Sequence, residues 1–116
     1  MIIGIRTHFD AAHYLPNHPG RCKTMHGHRW TVEVEYEGKV GPSAAMIVDF
    51  GLLKEAMKQI IEPLDHVVLN DRIDNPTAET LVYYLRTYLV NLFPNVRLYS
   101  ITVYETPDSW AKIIDP

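Results

Sequence analysis

The sequence lacks the features that mark several protein classes. It has one cysteine in 116 residues, so no disulfide bond can form within the chain. It has no run of lysine or arginine and a formal net charge of -3, so nucleic acids and anionic membranes are not the expected partners. No apolar stretch approaches the roughly 20 residues of a membrane span, and the N-terminus lacks the basic start of a signal peptide. We therefore expect a cytoplasmic protein.

The composition is typical of one globular domain that covers residues 1–116. Hydrophobic residues make up 47% of the chain, which is ordinary for a folded protein and too high for a disordered one. A monomer of this size buries a modest core, so association of several copies would add useful burial. The sequence contains no internal repeat and no low-complexity segment.

Three stretches alternate between apolar and polar residues, which is the pattern of a half-buried β-strand. They cover residues 3–13, 29–36 and 96–105. A short apolar run at residues 46–48 could be the end of a fourth strand. The segment 106–116 has no pattern that assigns it to a strand or a helix.

Two helices are predicted between the short run and the last strand. Asp49 is a suitable N-cap for the first helix, and Pro63 ends it. The second helix begins at Asn75 or Thr77. The apolar residues at helical spacing are Phe50, Leu53, Met57, Ile60 and Ile61 in the first helix, and Leu81, Leu85, Tyr88, Leu89 and Leu92 in the second.

The grouping of these elements predicts an α+β fold, with an antiparallel four-stranded sheet and two helices on one face. Apolar residues occupy both faces of the last predicted strand, with Ile101 and Val103 on one and Leu98 and Tyr104 on the other. Because the two helices can cover only one face, a neighbouring subunit is the expected cover for the other.

Three histidines indicate a metal site. His26 and His28 are two residues apart at the start of a predicted strand, so their side chains leave the same face of the sheet. His13 lies at the end of another predicted strand. Any one of them alone would be an ordinary surface or core histidine. Three imidazoles without a carboxylate suit zinc, and three protein ligands leave a fourth position open, as in catalytic zinc sites.

Cys22 has three possible roles. It could be a small buried hydrophobic residue, or a fourth zinc ligand that closes the site and makes it structural. It could also be a free thiolate beside an open zinc ion, where it would act as a base or nucleophile. Arg21 and Lys23 flank it, and nearby positive charge favours the thiolate form.

Several further polar residues are candidates for a binding or catalytic site. Asp65 and His66 follow a helix-ending proline, where a carboxylate could orient an imidazole for proton transfer. Glu105 ends an apolar strand; it is either exposed to water or, if buried, able to accept two parallel N–H donors from a heterocycle. Thr77 and Glu79 are most simply a helix cap and a first-turn acid, although both could contact a ligand.

Six segments of the chain resemble one known family. In chain order they read F-D-A-A-H at 9–13, C-K-T-M-H-G-H at 22–28, I-V-D-F at 47–50, L-D-H-V-V-L-N-D at 64–71, N-P-T-A-E at 75–79 and V-Y-E-T at 103–106. Each segment is short, but six in the same order across nearly the whole chain are specific. The family is that of the 6-pyruvoyl-tetrahydropterin and 6-carboxytetrahydropterin synthases, which have the tunnelling fold.

The resemblance implies a zinc-dependent enzyme. Zinc would be held by His13, His26 and His28, and Cys22 would be the catalytic thiol. Members of the family form hexamers from two trimers, in which the sheets of the subunits join into a barrel and the active sites lie at subunit interfaces. A homo-hexamer of this kind is therefore expected.

The resemblance also implies a substrate and a role for the remaining candidates. Asp65 and His66 would form a proton-relay pair, Glu105 would anchor a pterin ring, and Thr77 and Glu79 would line the pterin pocket. The substrate would be 7,8-dihydroneopterin triphosphate. Arg21, Lys23 or Arg29 could meet its triphosphate.

The spacing between the cysteine and the H-G-H motif resembles the 6-carboxytetrahydropterin synthase branch of the family. That branch serves the synthesis of queuosine or archaeosine precursors, with release of triphosphate and acetaldehyde. The alternatives are a 6-pyruvoyl-tetrahydropterin synthase, an enzyme that cleaves dihydroneopterin for folate synthesis, and a non-enzymatic binding module with a closed zinc site. A folate-related branch carries a glutamate just after the cysteine, where this chain has Lys23.

Overall fold

A five-stranded sheet organises residues 1–116, all of which are described by the computed structural model. The strand order is β3-β1-β2-β4-β5, with β3 parallel to β1 and the other neighbours antiparallel. In chain order the elements are β1 (Ile2–His13), β2 (His26–Glu37), α1 (Phe50–Ile61), β3 (Val67–Val68), α2 (Ala78–Leu89), β4 (Arg97–Thr106) and β5 (Ser109–Ile114). The predicted α+β fold is confirmed, but the sheet has five strands where four were predicted.

The two additional features of the sheet lie where the sequence pattern is weakest. The unassigned tail supplies β5, which pairs antiparallel with β4 at the edge of the sheet. Val67 and Val68 form the two-residue β3 beside Ala11 and Ala12 of β1. The predicted short strand at 46–48 is wrong: these residues form bends before α1, and no sheet neighbour pairs with them.

Both helices begin at a side-chain cap. The Asp49 carboxylate accepts a hydrogen bond from the backbone N–H of Gly51 and starts α1. Thr77 caps α2, where its hydroxyl accepts from the N–H of Thr80. The helices bury Leu53, Met57 and Ile61 of α1 and Leu81, Leu85 and Leu89 of α2 against the sheet. Phe50 and Tyr88 were predicted in these stripes, but they are half exposed.

The core lies between the helices and one face of the sheet. Phe9 of β1 stands opposite Trp30 of β2, and their rings stack with centroids 6.2 Å apart. Val32 and Val103 continue this face across β2 and β4, and all four side chains are buried. Each helix spans 12 residues, and neither is long and apolar enough to cross a membrane.

The second face of the sheet carries both charged and apolar side chains. Arg6 pairs with Glu33 at 3.5 Å, and Lys112 with Glu35 at 3.6 Å. The β2–β4 register shifts between Glu35 and Tyr36, so that Leu98, predicted on this face, pairs with Tyr36 on the helix-covered face.

Apolar residues nevertheless remain on the second face. Tyr104 lies there opposite Trp110, and Ile114 of β5 shares the face; Trp110 is 58% exposed and Ile114 54%. The expected cover of this face by a neighbouring subunit stays a prediction.

Two adjacent leucines of α1 test which face of this helix packs on the sheet. Leu53 is fully buried, whereas Leu52 is 63% exposed. We expect Leu53→Ala to lower the free energy of unfolding by about 2–5 kcal/mol, because it leaves a cavity in the core. The matched change Leu52→Ala should cost less than about 0.5 kcal/mol. Urea unfolding at one fixed protein concentration measures both, and equal losses would contradict the packing described here.

Candidate metal centre and its surroundings

Three histidine rings converge where β1 ends and β2 begins. The register of the two strands sets His13 opposite His26 and Ala11 opposite His28, on the helix-covered face. One ring nitrogen of each of the three histidines lies within 4.8 Å of the others. The Nε2 atoms of His13 and His26 are 2.9 Å apart.

Backbone carbonyls hold the outer nitrogens of two of these rings. His13 Nδ1 is 2.7 Å from the carbonyl oxygen of Pro76, and His26 Nδ1 is 2.7 Å from that of Thr24. A carbonyl oxygen can only accept a hydrogen bond, so both Nδ1 atoms carry the hydrogen. Two neutral rings held in this way turn their Nε2 lone pairs toward each other, an arrangement that a bound cation would stabilise.

His28 supplies the third nitrogen. Its Nε2 is buried and has no hydrogen-bond partner, and a buried polar nitrogen without a partner is costly unless something binds it. The ring packs edge-on against Trp30, at 5.5 Å between centroids, and His13 does so at 4.9 Å. Trp30 therefore forms an apolar floor below the site.

Burial favours the neutral form of two of these imidazoles. It lowers the pKa of His13 and of His28 below the usual value for histidine. The neutral imidazole is the form that binds a metal ion. Three such nitrogens, two of them oriented by carbonyls, fit a divalent cation such as zinc and leave a fourth position free.

Glu105 lies beside this group on β4. Its carboxylate oxygens are 3.7 Å from His28 Nε2 and 4.0 Å from His13 Nε2. Both distances exceed those of hydrogen bonds, and the Glu105 side chain is 30% exposed. The carboxylate is therefore close to the metal position without being fixed there.

Cys22 lies on a short turn, Arg21–Lys23, and is half buried. Its sulfur is not part of the group of donor atoms formed by the three histidines. The carbonyl of Cys22 accepts a hydrogen bond of 2.7 Å from the N–H of Leu15, and the N–H of Thr24 donates to Arg21 at 3.0 Å. These bonds attach the cysteine-bearing turn to the loop that leaves β1.

Asp65 and His66 form a hydrogen-bonded pair. Asp65 Oδ2 accepts from His66 Nδ1 at 2.9 Å, and Asp65 Oδ1 accepts from the N–H of Asp10 at 2.9 Å. The N–H of His66 in turn donates to the carbonyl of Asp10 at 2.6 Å. The Asp10 N–H, and after it the His66 ring, hold the pKa of Asp65 below its usual range.

The residues that support this pair were not predicted. Arg29 donates two hydrogen bonds to the Asp10 carboxylate, at 2.9 and 3.0 Å, across the β1–β2 pair. The Arg29 guanidinium is therefore paired with a carboxylate of its own chain. Together with His28 and His66 it lines an open cleft of about 590 Å³. By the strand register, Asp10 and Arg29 lie on the face of the sheet opposite to the one on which the three rings converge.

Thr77 and Glu79 lie at the start of α2. Thr77 directly follows Pro76, whose carbonyl holds His13, while Glu79 is exposed on the first turn. Both carbonyls that orient the histidines belong to the backbone, so no residue type marks them in the sequence. The pairing of Asp10 with Arg29, in contrast, follows from the strand register once His13 is set opposite His26.

The chain is similar to known proteins of one family. Residues 2–115 match the family described as 6-pyruvoyl tetrahydropterin synthase. An Archaeoglobus fulgidus protein, provisionally named 6-carboxy-5,6,7,8-tetrahydropterin synthase, is 41% identical over 97% of this chain and 95% of its own length. The dihydroneopterin monophosphate aldolase of Pyrococcus furiosus is 32% identical over 86% of this chain and 85% of its own.

A solved structure has the same fold. The 6-pyruvoyl tetrahydropterin synthase of Caenorhabditis elegans superposes with a TM-score of 0.88 over 100% of this chain and 96% of that protein, at 24% sequence identity. At this identity the likeness concerns the fold.

The lowered pKa of Asp65 predicts a pH-dependent contribution to stability. A carboxylate whose pKa is depressed by folding stabilises the protein above its unfolded pKa, about 3.9, and loses that contribution as the pH falls through the folded pKa. We therefore expect Asp65→Asn to be less stable than the wild type at pH 7, with the difference closing below about pH 4.

Urea unfolding at several pH values between 7 and 3 measures this difference. Asp71→Asn, at an exposed carboxylate in the same region, is the control and should leave stability nearly unchanged at every pH. A difference between Asp65→Asn and wild type that stays constant down to pH 3 would contradict the hydrogen bonds described for Asp65.

Proposed function

The chain belongs to the 6-pyruvoyl tetrahydropterin synthase family, and from that premise we propose that it is a zinc-dependent 6-carboxytetrahydropterin synthase. In this reaction 7,8-dihydroneopterin triphosphate and water give 6-carboxy-5,6,7,8-tetrahydropterin, acetaldehyde and triphosphate. The product would serve the synthesis of queuosine or archaeosine precursors. The observation that carries the proposal is the set of three converging imidazoles. The Nε2 atoms of His13 and His26 face each other, and His28 Nε2 is buried without a hydrogen-bond partner.

The metal would be held by His13, His26 and His28. A zinc ion bound there supplies Lewis acidity, which makes a proton on the substrate carbon beside a coordinated hydroxyl easier to remove. The protein's part is to hold the three rings in one orientation. The carbonyls of Pro76 and Thr24 support this by fixing the hydrogens on the outer nitrogens of His13 and His26.

Cys22 would take the proton from the substrate side chain as a thiolate. The sulfur lies outside the group of histidine donors, which supports a base rather than a ligand. The turn that carries it is joined to His26 through the backbone of Thr24.

The Asp65–His66 pair would move protons to and from the substrate side chain. Asp65 accepts the Nδ1 hydrogen of His66, which leaves Nε2 free to exchange a proton with the substrate. Both backbone hydrogen bonds to Asp10 fix this pair at the edge of the cleft. His66 itself is 78% exposed, which suits a group that must meet a substrate entering from solvent.

Glu105 would anchor the pterin ring. A carboxylate can accept two parallel N–H donors from the edge of a heterocycle, and its contacts with the histidines are too long to hold it in place. Thr77 and Glu79, at the start of α2, would line the same pocket. The ring and the metal-bound end of the substrate would then be held on neighbouring elements.

We propose that the protein assembles as a homo-hexamer, a dimer of trimers. The edges of its sheet are the two-residue β3 and the terminal strand β5, both of which have unpaired backbone groups on their outer side. The free face carries ion pairs together with the exposed side chains of Trp110 and Ile114. Sheets of several subunits joined at these edges would form a barrel with a hydrated interior.

A second candidate is the cleavage of dihydroneopterin or its phosphate to a hydroxymethyl pterin. The similarity to the Pyrococcus furiosus aldolase supports it, at a lower identity than that to the Archaeoglobus fulgidus protein. Lys23 opposes it, because the resemblance places a glutamate after the cysteine in the folate-related branch. A closed structural zinc site in a non-enzymatic protein is the third candidate, and it requires the Cys22 sulfur to bind the metal.

Product identification distinguishes these candidates. The zinc-loaded protein is incubated with 7,8-dihydroneopterin triphosphate, and separately with the monophosphate. We expect 6-carboxytetrahydropterin and acetaldehyde from the triphosphate. A pyruvoyl product or a hydroxymethyl product would replace our proposal by one of the related reactions, and no product from either substrate would favour the non-enzymatic module.

The role of Cys22 is tested by Cys22→Ala. If the thiol is the base, the variant should retain zinc at wild-type stoichiometry and lose turnover by about 10²–10⁴-fold. Zinc content is measured by elemental analysis and turnover by product formation, with Lys23→Ala as the control that keeps the thiol. Loss of the metal from Cys22→Ala would show instead that the sulfur is a ligand and that the site is closed.

A further inference from the structure

We propose that Thr80 is a positioning residue for the metal centre, acting through the peptide group between Pro76 and Thr77 on the ligand His13. The inference rests on the proposed zinc site. Thr80 does not contact the histidines, and neither its residue type nor its place in the helix indicated such a role.

One peptide group connects the two side chains. A peptide group is planar, and in the trans form its C=O and N–H point in opposite directions. The C=O of the Pro76–Thr77 group accepts the hydrogen bond from His13 Nδ1 at 2.7 Å. The N–H of the same group donates to Thr80 Oγ1 at 2.9 Å. The imidazole and the hydroxyl therefore hold the two ends of one rigid unit.

The Thr80 hydroxyl also fixes the residue before Pro76. It donates to the carbonyl of Asn75 at 2.8 Å, which additionally accepts from the N–H of Thr77 at 2.8 Å. Asn75 has a φ of 47°, in the left-handed region that asparagine tolerates better than most other non-glycine residues. One hydroxyl thus bridges the backbone on both sides of Pro76.

The contact at the other end of the peptide group is well sheltered. His13 is fully buried and Pro76 is buried as well, so water cannot replace the carbonyl as the partner of Nδ1. Rotation of the peptide plane would remove that partner and turn the ring. A change in the orientation of this peptide plane would therefore move His13 Nε2. A metal site needs its donor nitrogens in one geometry, so that movement would weaken metal binding.

The alternative is that Thr80 only stabilises α2. It belongs to the capping box of that helix, together with Thr77. A residue that only caps the helix contributes to the free energy of unfolding, whereas a positioning residue also changes how tightly the folded protein binds a metal ion. The two roles therefore differ in one measurable quantity, the zinc dissociation constant of the folded protein.

Thr80→Val tests the proposal, because valine keeps the branched shape and removes the hydroxyl. The backbone N–H of residue 80 remains able to donate to Thr77 Oγ1, so half of the cap is retained. Loss of a direct outer partner of a metal-bound histidine usually weakens metal binding 10–100-fold. Since Thr80 acts one group farther out, we expect zinc binding to weaken about tenfold, at the low end of that range.

The measurement is competition for zinc between the metal-free full-length protein and a chromophoric chelator, at a temperature where every variant is folded. Thr80→Ser keeps the hydroxyl and should bind zinc within about twofold of the wild type, a small change beside the effect expected for an outer partner. Asp49→Ala removes the cap of α1, and it should lower the unfolding temperature without changing the zinc dissociation constant.

The outcomes separate this proposal from the proposed function. If Thr80→Val binds zinc as tightly as the wild type, or if Asp49→Ala weakens binding equally, the positioning role is refuted. If the wild type binds no zinc, the metal centre and the positioning role both fail. If Thr80→Val alone weakens zinc binding but the wild type does not turn over the pterin, the positioning role stands and the proposed reaction fails.

Discussion

The pairing of His13 with His26 across β1 and β2 is the contact on which the rest of the site depends. Side chains alternate between the faces of a sheet, so a slip of one residue would move one strand's histidines to the opposite face. The same register stacks Phe9 against Trp30 inside the core. The hydrophobic effect therefore fixes the register of the two strands. The same register brings the three rings together, so no additional interaction is needed to align them.

The fold and the histidine group could be predicted because they depend on periodicity. His13 shares the parity of Phe9, and His26 and His28 that of Trp30, so both sets of side chains had to leave one face of their strand. The caps at Asp49 and Thr77 were predicted for a similar local reason, since a side-chain oxygen at a helix start satisfies a backbone N–H. These signals lie within a few residues of the feature that they specify.

The features that the sequence did not predict depend on contacts between distant segments. The bulge that carries Leu98 to the core face is a property of two strands together, and the tail becomes β5 only because β4 offers it an edge. Tyr88 is half exposed although it has the helical spacing of the buried residues. The spacing of apolar residues therefore predicts which side of a helix faces the core, but not how many of them are buried. The carbonyls of Pro76 and Thr24 could not be predicted at all, because every residue has one.

Those two carbonyls explain why the three histidines and the surrounding loops form one unit. Through Thr24, one histidine is joined to the turn that carries Cys22. Through Pro76, another is joined to the start of α2. Each loop is irregular, and irregular backbone is ordinarily mobile. A cation between the rings would favour the arrangement in which both carbonyls remain bonded, so metal binding and the order of the loops that carry the proposed chemistry must be thermodynamically linked.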